Sequence, residues 1–156
     1  MTNTSSNPSL EKYFNEYLPS EITIPSEYKG RPVTEIESFG FSYCYSLTSI
    51  TIPDSVTSIE EYAFCGCSSL TSIVVERGNQ VYDSRNNCNA IIETSTNRLI
   101  VGCVSTVIPN SVTSIGSYAF YNCSSLTSVI LGNGVTSIGE YTFYNCSSLT
   151  SIVIPD

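Results

Sequence analysis

The chain has 156 residues, the size of one ordinary domain or of a short repeat array, and its 14 acidic and 6 basic residues give a net charge of −8. That balance disfavours nucleic acid and anionic membrane surfaces as partners, because both are bound through clustered Lys and Arg. No histidine is present, so the usual general base and the commonest metal ligand are missing, and we expect no enzymatic activity, no metal and no cofactor.

The N-terminal segment predicts a capping helix. A polar residue followed by Pro8 starts it and Pro19 stops it, with the apolar residues between them on one stripe: Leu10, Tyr13, Phe14, Tyr17 and Leu18. We interpret residues 1–21 as the cap of a repeat array, and a partner-binding amphipathic helix is the alternative.

The N-terminal segment has neither the basic nor the apolar region of a secretory signal, which leaves a cytoplasmic location open. No apolar run is long enough to insert into a membrane.

A 23-residue repeat follows the cap. It is clearest in the alignment of LTSITIPDSVTSIEEYAFCGCSS at 47–69 with LTSVILGNGVTSIGEYTFYNCSS at 126–148. The units are predicted at 22–46 (divergent, with about five extra residues), 47–69, 70–102 (long), 103–125, 126–148 and 149–156 (truncated). The whole chain is therefore predicted to be one domain.

Each unit predicts a short strand, a turn, a second extended segment and a tight corner. One such coil cannot bury its own apolar side chains, so stacked copies form columns of like residues. We predict columns of leucine, isoleucine, phenylalanine and cysteine, the last formed by Cys44, Cys67, Cys123 and Cys146. Cys65 aligns with Tyr121 and Tyr144, which predicts an outward side chain, and one Cys per coil does not match the paired spacing of zinc sites.

The long unit contains an insertion that predicts a β-hairpin. Two apolar segments, 90–93 and 98–101, flank the turn residues 94–97. Cys88 and Cys103 lie symmetrically about this turn, so they are candidates for a disulfide across the hairpin base. Two more buried thiols are the alternative.

The repeat resembles the BspA-like, or Treponema pallidum type, leucine-rich repeat. The resemblance rests on LTSITI at 47–52, which fits L-x-x-L-x-L, and on the recurring IPxSVTSIGxYAFxxCSSL. It implies a mainly-β, right-handed solenoid with a parallel sheet on its concave side. It also implies an extracellular or cell-surface location and a role in adhesion through binding proteins.

Ten outward positions of the first strands are the candidate partner-binding residues. The third and fifth repeat positions predict a flat, uncharged strip of hydroxyl and aliphatic side chains along the concave sheet, a composition typical of protein contacts. We call these ten residues the outer strip: Ser49, Thr51, Ser72, Val74, Ser105, Val107, Ser128, Ile130, Ser151 and Val153. The alternative is that Val, Ile and Thr simply suit strands, exposed or not.

The C-terminal strand, 152–154, predicts an exposed edge. Either another subunit covers it, as a homodimer, or the chain is part of a longer array. We therefore expect a non-enzymatic protein-binding module, with a structural spacer within a longer array and an intracellular scaffold or effector as alternatives.

Overall fold

The computed structural model describes residues 18–155, so the predicted capping helix lies almost wholly outside the described residues. Within this part of the chain the regular elements are short strands and one 3₁₀ turn, Arg85–Asn87. The strands are β1 (Glu21–Thr23), β2 (Glu27–Tyr28), β3 (Arg31–Pro32), β4 (Glu35–Ile36), β5 (Ser49–Ile52), β6 (Ser58–Ile59), β7 (Ser72–Val75), β8 (Tyr82–Asp83), β9 (Ala90–Glu93), β10 (Arg98–Gly102), β11 (Ser114–Ile115), β12 (Ser128–Ile130), β13 (Ser137–Ile138) and β14 (Ser151–Val153).

The first strands of successive units pair in parallel. Ser49 of β5 is registered with Ser72 of β7, an offset of one 23-residue repeat. β1 pairs with β5 at a longer offset, Glu21 with Ser49, because the extra residues of the divergent unit form the antiparallel hairpin of β2 and β3. Alternate residues of these strands point inward, and Ile50 and Ile73 are fully buried.

One continuous first-strand sheet was expected, but the described chain has two. β1, β5 and β7 form one sheet, and β12 and β14 form another. The segment between them, 103–108, forms no strand because its polar groups are bonded elsewhere. The Thr106 hydroxyl accepts a hydrogen bond from the Cys103 amide at 2.8 Å and donates to the Asn89 carbonyl at 2.6 Å. A side chain that binds nearby backbone competes with strand pairing.

The second extended segments form the opposite face of the stack. β4 pairs with β6, while β8, β9, β10, β11 and β13 form a five-stranded sheet. In that sheet β9 and β10 run antiparallel, and β10 pairs in parallel with β11. The inserted segment therefore supplies a strand where the other units supply their second segment.

The inserted strand β9 lies between two hydrophobic clusters. Ala90, Ile91 and Ile92 are all fully buried, so both faces of β9 are covered. Ile91 packs into the N-terminal cluster, which includes Ile50 and Ile73, whereas Ala90 and Ile92 pack into the C-terminal cluster. The core is thus divided at the insertion rather than continuous along the stack.

Threonine hydroxyls tie neighbouring coils together. Thr71 Oγ1 donates to the Thr48 carbonyl at 3.2 Å, and Thr136 Oγ1 donates to the Thr113 carbonyl at 3.1 Å. The same bond recurs at Thr150, whose Oγ1 donates to the Thr127 carbonyl. Each of these carbonyls also accepts the backbone amide of the same threonine, so the recurring LTS and VTS segments bond neighbouring coils twice at this position.

The cysteine column is buried and hydrogen-bonded. Cys67 Sγ donates to the Phe41 carbonyl at 3.0 Å, and Cys146 Sγ donates to the Phe120 carbonyl at 3.1 Å. The predicted outward position of Cys65 is wrong, because this side chain is buried. Gly66 follows it with φ near +76°, and a side chain at Gly66 would collide with the Tyr43 ring.

Candidate binding surface

The N-terminal part of the outer strip lies on β5 and β7. Ser49 is opposite Ser72 and Thr51 is opposite Val74, so the four side chains form a compact square on one face. Val74 is exposed, while Ser49, Ser72 and Thr51 are partly covered by their neighbours. The surface is flat and uncharged at these positions.

The C-terminal part of the outer strip lies on β12 and β14. Ser128 is registered with Ser151, and Ile130 with Val153. All four are exposed, and the two aliphatic side chains keep 68% and 47% of their surface in solvent. This pair therefore presents the larger exposed apolar surface.

Ser105 and Val107 connect the two parts without belonging to a strand. The Val107 amide donates to the Cys88 carbonyl at 3.0 Å, which attaches the segment to the base of the insertion. Val107 remains 72% exposed and Ser105 is exposed as well. The structure therefore orients these two residues outward, but it does not align them in register with Val74 or Ile130.

Cys88 and Cys103, the candidate disulfide pair, are free buried thiols in this structure. Cys103 Sγ donates to the Asn89 carbonyl at 3.2 Å, and Cys88 Sγ points to the Ala90 carbonyl at 3.9 Å. They pack into different hydrophobic clusters, Cys103 with the N-terminal one and Cys88 with the C-terminal one. Burial raises the pKa of both thiols, which disfavours the reactive thiolate.

The corners carry a row of aromatic rings that sequence analysis described only in part. Tyr121 and Tyr144, predicted to face outward, stack at 5.2 Å, and Asn145 Nδ2 donates to Asn122 Oδ1 at 2.7 Å. A second row, which sequence analysis missed, consists of Phe39, Tyr62, Tyr118 and Tyr141, and we call it the corner row. The signal was present in the sequence, because an aromatic residue recurs two positions before each phenylalanine of the predicted phenylalanine column, Phe41, Phe64, Phe120 and Phe143.

Every residue of the corner row has a left-handed backbone. The φ angles of Phe39, Tyr62, Tyr118 and Tyr141 lie between 54° and 64°. Bulky residues rarely adopt this conformation, which costs of order 1–3 kcal/mol per residue. Ring stacking with the neighbouring coil offsets part of that cost, since an aromatic pair contributes roughly 0.5–1.5 kcal/mol beyond its buried area.

A cleft of about 170 Å³ opens where the insertion meets the corners. Its lining includes the rings of Tyr62 and Tyr118, the carboxylates of Glu60 and Glu93, and the guanidinium of Arg98. Hydrogen bonding with Tyr62 raises the pKa of Tyr118 from 10.0 to about 12. The thiols of Cys65, Cys67 and Cys123 line the inner wall.

Metal-binding clusters and membrane-spanning helices are both absent from the described part of the chain. Between residues 18 and 155, no group of three or more His, Cys, Asp or Glu side chains is placed to hold a metal ion. Over the same residues, no helix has the length and apolar character needed to cross a bilayer.

Comparison with known proteins places the fold in a family. The profile described as "BspA type Leucine rich repeat region" matches residues 11–97 and 92–156 in six copies. The chain therefore belongs to the BspA-type leucine-rich repeat family, whose repeat the sequence already resembled. Leucine-rich repeat domains generally act as non-enzymatic scaffolds for protein interaction. A search of curated proteins finds no match.

Solved structures of bacterial leucine-rich repeat proteins are similar to this chain. A leucine-rich cell surface protein from Faecalibacterium prausnitzii A2-165 is 30% identical with a TM-score of 0.62, the match covering 92% of this chain and 44% of that one. The T. pallidum leucine-rich repeat protein is 31% identical with a TM-score of 0.52, covering 86% and 58%. The pneumococcal vaccine antigen PcpA, 21% identical with a TM-score of 0.62 and coverage of 86% and 39%, shares the fold. The chain thus spans less than two thirds of the length of each.

Proposed function

We propose that this chain is a non-enzymatic protein-binding module that recognises its partner through the outer strip. The supporting observation is the solvent exposure of Val74, Ile130 and Val153 on registered strands that carry no charge at these positions. Exposed apolar surface of this kind is typical of protein contacts. Burial of these aliphatic side chains by a partner is the source of affinity in this proposal.

Val107 argues against β-propensity as the whole explanation of the outer strip. It lies in no strand, so a preference for strand geometry does not account for an aliphatic residue there. Its side chain is nevertheless the most exposed of the strip's aliphatic residues. Since the strip itself is uncharged, we expect binding that depends little on salt concentration.

Paired lysine substitutions test the binding surface. We expect the double variant Val74→Lys, Ile130→Lys to lose binding to immobilised extracellular-matrix proteins, because each lysine places a charge in the buried contact. Tyr28→Lys is the matched control, since Tyr28 is an exposed apolar residue on the β2–β3 hairpin. Unchanged binding by a double variant that folds normally, as checked by circular dichroism, contradicts the proposal.

We also propose an extracellular or cell-surface location. The support is family membership together with the likeness to the cell surface protein of Faecalibacterium prausnitzii. An intracellular scaffold and a spacer within a longer array are the alternatives. Surface proteolysis of intact cells that carry the full natural gene product separates a cell-surface location from an intracellular scaffold. The lysine variants test the spacer alternative, because a spacer keeps its properties when the outer strip is changed.

The C-terminal edge supports a second contact, with another copy of the chain. Ile152 occupies the inward column of Ile50 and Ile73, yet it is 42% exposed. Val153 of β14 and Ile154, which follows the strand, are also exposed. We expect dimers in light scattering at high concentration that Ile154→Lys abolishes. A monomeric mass at high concentration contradicts this second proposal.

A further inference from the structure

The ring pair of Tyr62 and Tyr118 is closer than the other tyrosine contacts of the aromatic rows, since the tilted pairs Tyr118–Tyr121 and Tyr141–Tyr144 are 5.7 Å and 5.8 Å apart. Its centroids are 4.4 Å apart and the ring planes are tilted by 48°. In the neighbouring pair Tyr118–Tyr141 the centroids are 5.4 Å apart with planes only 12° from parallel. Tyr121 and Tyr144 are likewise separated by 5.2 Å with planes 11° apart. Parallel rings present their faces to one another, whereas a tilted pair turns the edge of one ring toward the other.

The insertion creates this close pair. Tyr62 and Tyr118 belong to units 47–69 and 103–125, which are not consecutive in the chain. The unit between them continues through β9 and β10 instead of forming a corner, so the two corners meet directly. The Gly66 amide donates to the Tyr121 carbonyl at 3.3 Å, which joins the same two corners by their backbones. The two corners are therefore joined both by the ring contact and by a backbone hydrogen bond.

We propose that Tyr62 and Tyr118 form an oxidative crosslinking site that closes to an intramolecular dityrosine. A one-electron oxidant removes an electron and a proton from each phenol, giving two phenoxyl radicals. The radicals combine through a carbon–carbon bond between ring positions next to the hydroxyls, and each bonding carbon then transfers its hydrogen to the oxygen. With hydrogen peroxide and a peroxidase as the oxidant, two tyrosines and one peroxide yield one dityrosine and two waters.

Electron transfer favours this pair. Both residues line the cleft of about 170 Å³, which is too small for a peroxidase to enter, so electrons must leave the pair through exposed rings. Tyr141 is 55% exposed and its ring contacts the Tyr118 ring, so an oxidised Tyr141 can draw its electron from Tyr118. The two rings are already in contact, with centroids 4.4 Å apart.

The thiols in the cleft are the competing sites of oxidation. Burial raises the pKa of Cys65 to about 12 and also raises that of Cys67, so both remain protonated at neutral pH. Peroxide attacks the thiolate rather than the thiol, and these sulfurs are therefore slow to react with it. The crosslink joins corners that lie on either side of the insertion, so it also constrains the unfolded chain and raises the Tm of the crosslinked fraction.

The test uses the whole chain, hydrogen peroxide and a haem peroxidase at low protein concentration. Dityrosine is measured by its fluorescence, and gel electrophoresis separates monomers from intermolecular products. The test variants are Tyr62→Phe and Tyr118→Phe, which keep a ring in a row where Phe39 already stands. Tyr144→Phe is the matched control from the other row. Peptide mapping of the oxidised wild type identifies the joined residues by the loss of two hydrogens, whatever the variants do.

We expect the fluorescence of the monomer band in the wild type and in Tyr144→Phe, and the loss of most of it in each of the two test variants. A crosslinked peptide containing Tyr62 and Tyr118 is the direct confirmation. Monomer fluorescence that persists in both test variants overturns the proposal. So does a map that joins other tyrosines, fluorescence confined to dimers, or consumption of the cleft thiols without dityrosine.

Discussion

The side-chain amide of Asn79 lies 2.8 Å from the carbonyl oxygen of Val56, to which it donates a hydrogen bond. The same amide nitrogen donates to the Pro53 carbonyl, and Asn79 Oδ1 accepts from the amides of Val81 and Tyr82. Asn79 is buried, and three of the four bonds are buried with it, while the bond from the Val81 amide is partly buried. One side chain therefore links the turn of the preceding unit to the backbone of the long unit.

We expect Asn79→Ala to lower the free energy of unfolding by about 2–4 kcal/mol, because it leaves buried carbonyls and amides without partners. Chemical denaturation followed by circular dichroism measures the change. Gln80→Ala is the matched control, since Gln80 is exposed. An Asn79→Ala variant as stable as the control contradicts the role assigned to these four bonds.

Stability is expected to fall at alkaline pH because the thiols are buried. Burial raises the pKa of Cys44 from 9.0 to about 11 and that of Cys65 to about 12. The folded state keeps these protons while the unfolded state loses them, so the stabilisation is complete below pH 9.0 and is lost as pH rises to each folded pKa. Each such thiol contributes a slope of about 1.4 kcal/mol per pH unit in that window.

Chemical denaturation in reducing buffer at pH values from about 8 to about 10.5 measures this slope, because the range extends roughly one to two units on each side of the unfolded thiol pKa. Cys44→Ala reduces the slope by one thiol's share, whatever its effect on stability at neutral pH. A free energy of unfolding that stays constant over the range rules out thiol ionisation as the cause.

Gly102 is expected to tolerate no side chain. It ends β10, and the Phe120 ring occupies the place of a Cβ atom there. Gly102→Ala forces the buried ring of Phe120 to move and costs about 1–3 kcal/mol. The double variant Gly102→Ala, Phe120→Leu separates this clash from other effects of the alanine. Equal losses from Gly102→Ala in the wild-type background and in the Phe120→Leu background would argue against the ring contact.

The disulfide between Cys88 and Cys103 stays a prediction that mass spectrometry decides. Alkylation of the unfolded, reduced chain modifies all seven cysteines. After oxidised glutathione, the disulfide hypothesis expects protection of Cys88 and Cys103 alone, and the double variant Cys88→Ala, Cys103→Ala serves as the control. Complete alkylation of the oxidised wild type supports the buried thiols that the structure shows.

The repeat could be read from the sequence because it depends on local, periodic chemistry. Alternation around Ile50, the turn at Pro53 and the recurring Cys67 position all predict the stacked coils and the buried thiol column. The registered pairs Ser49–Ser72 and Ser128–Ser151 follow from the same period. The contact between a side chain and the equivalent side chain one coil away can be predicted from the repeat alone.

Long-range contacts decided what the period could not. Cys65 is buried beside Gly66, where Tyr43 packs closely, and the first-strand sheet is interrupted where the Thr106 hydroxyl bonds the Asn89 carbonyl. The two halves of the outer strip are consequently separate surfaces joined by an irregular segment. Neither result follows from a pattern in which every unit is treated alike.

The sequence by itself thus determined the family, the coil and the composition of the surface, since each depends on residues that recur every 23 positions. Only the tertiary structure decided where the repetition is interrupted. The insertion brings Tyr62 and Tyr118, 56 residues apart in the chain, into ring contact and divides the core at β9. Such contacts depend on how non-equivalent coils meet in space, which no single unit encodes.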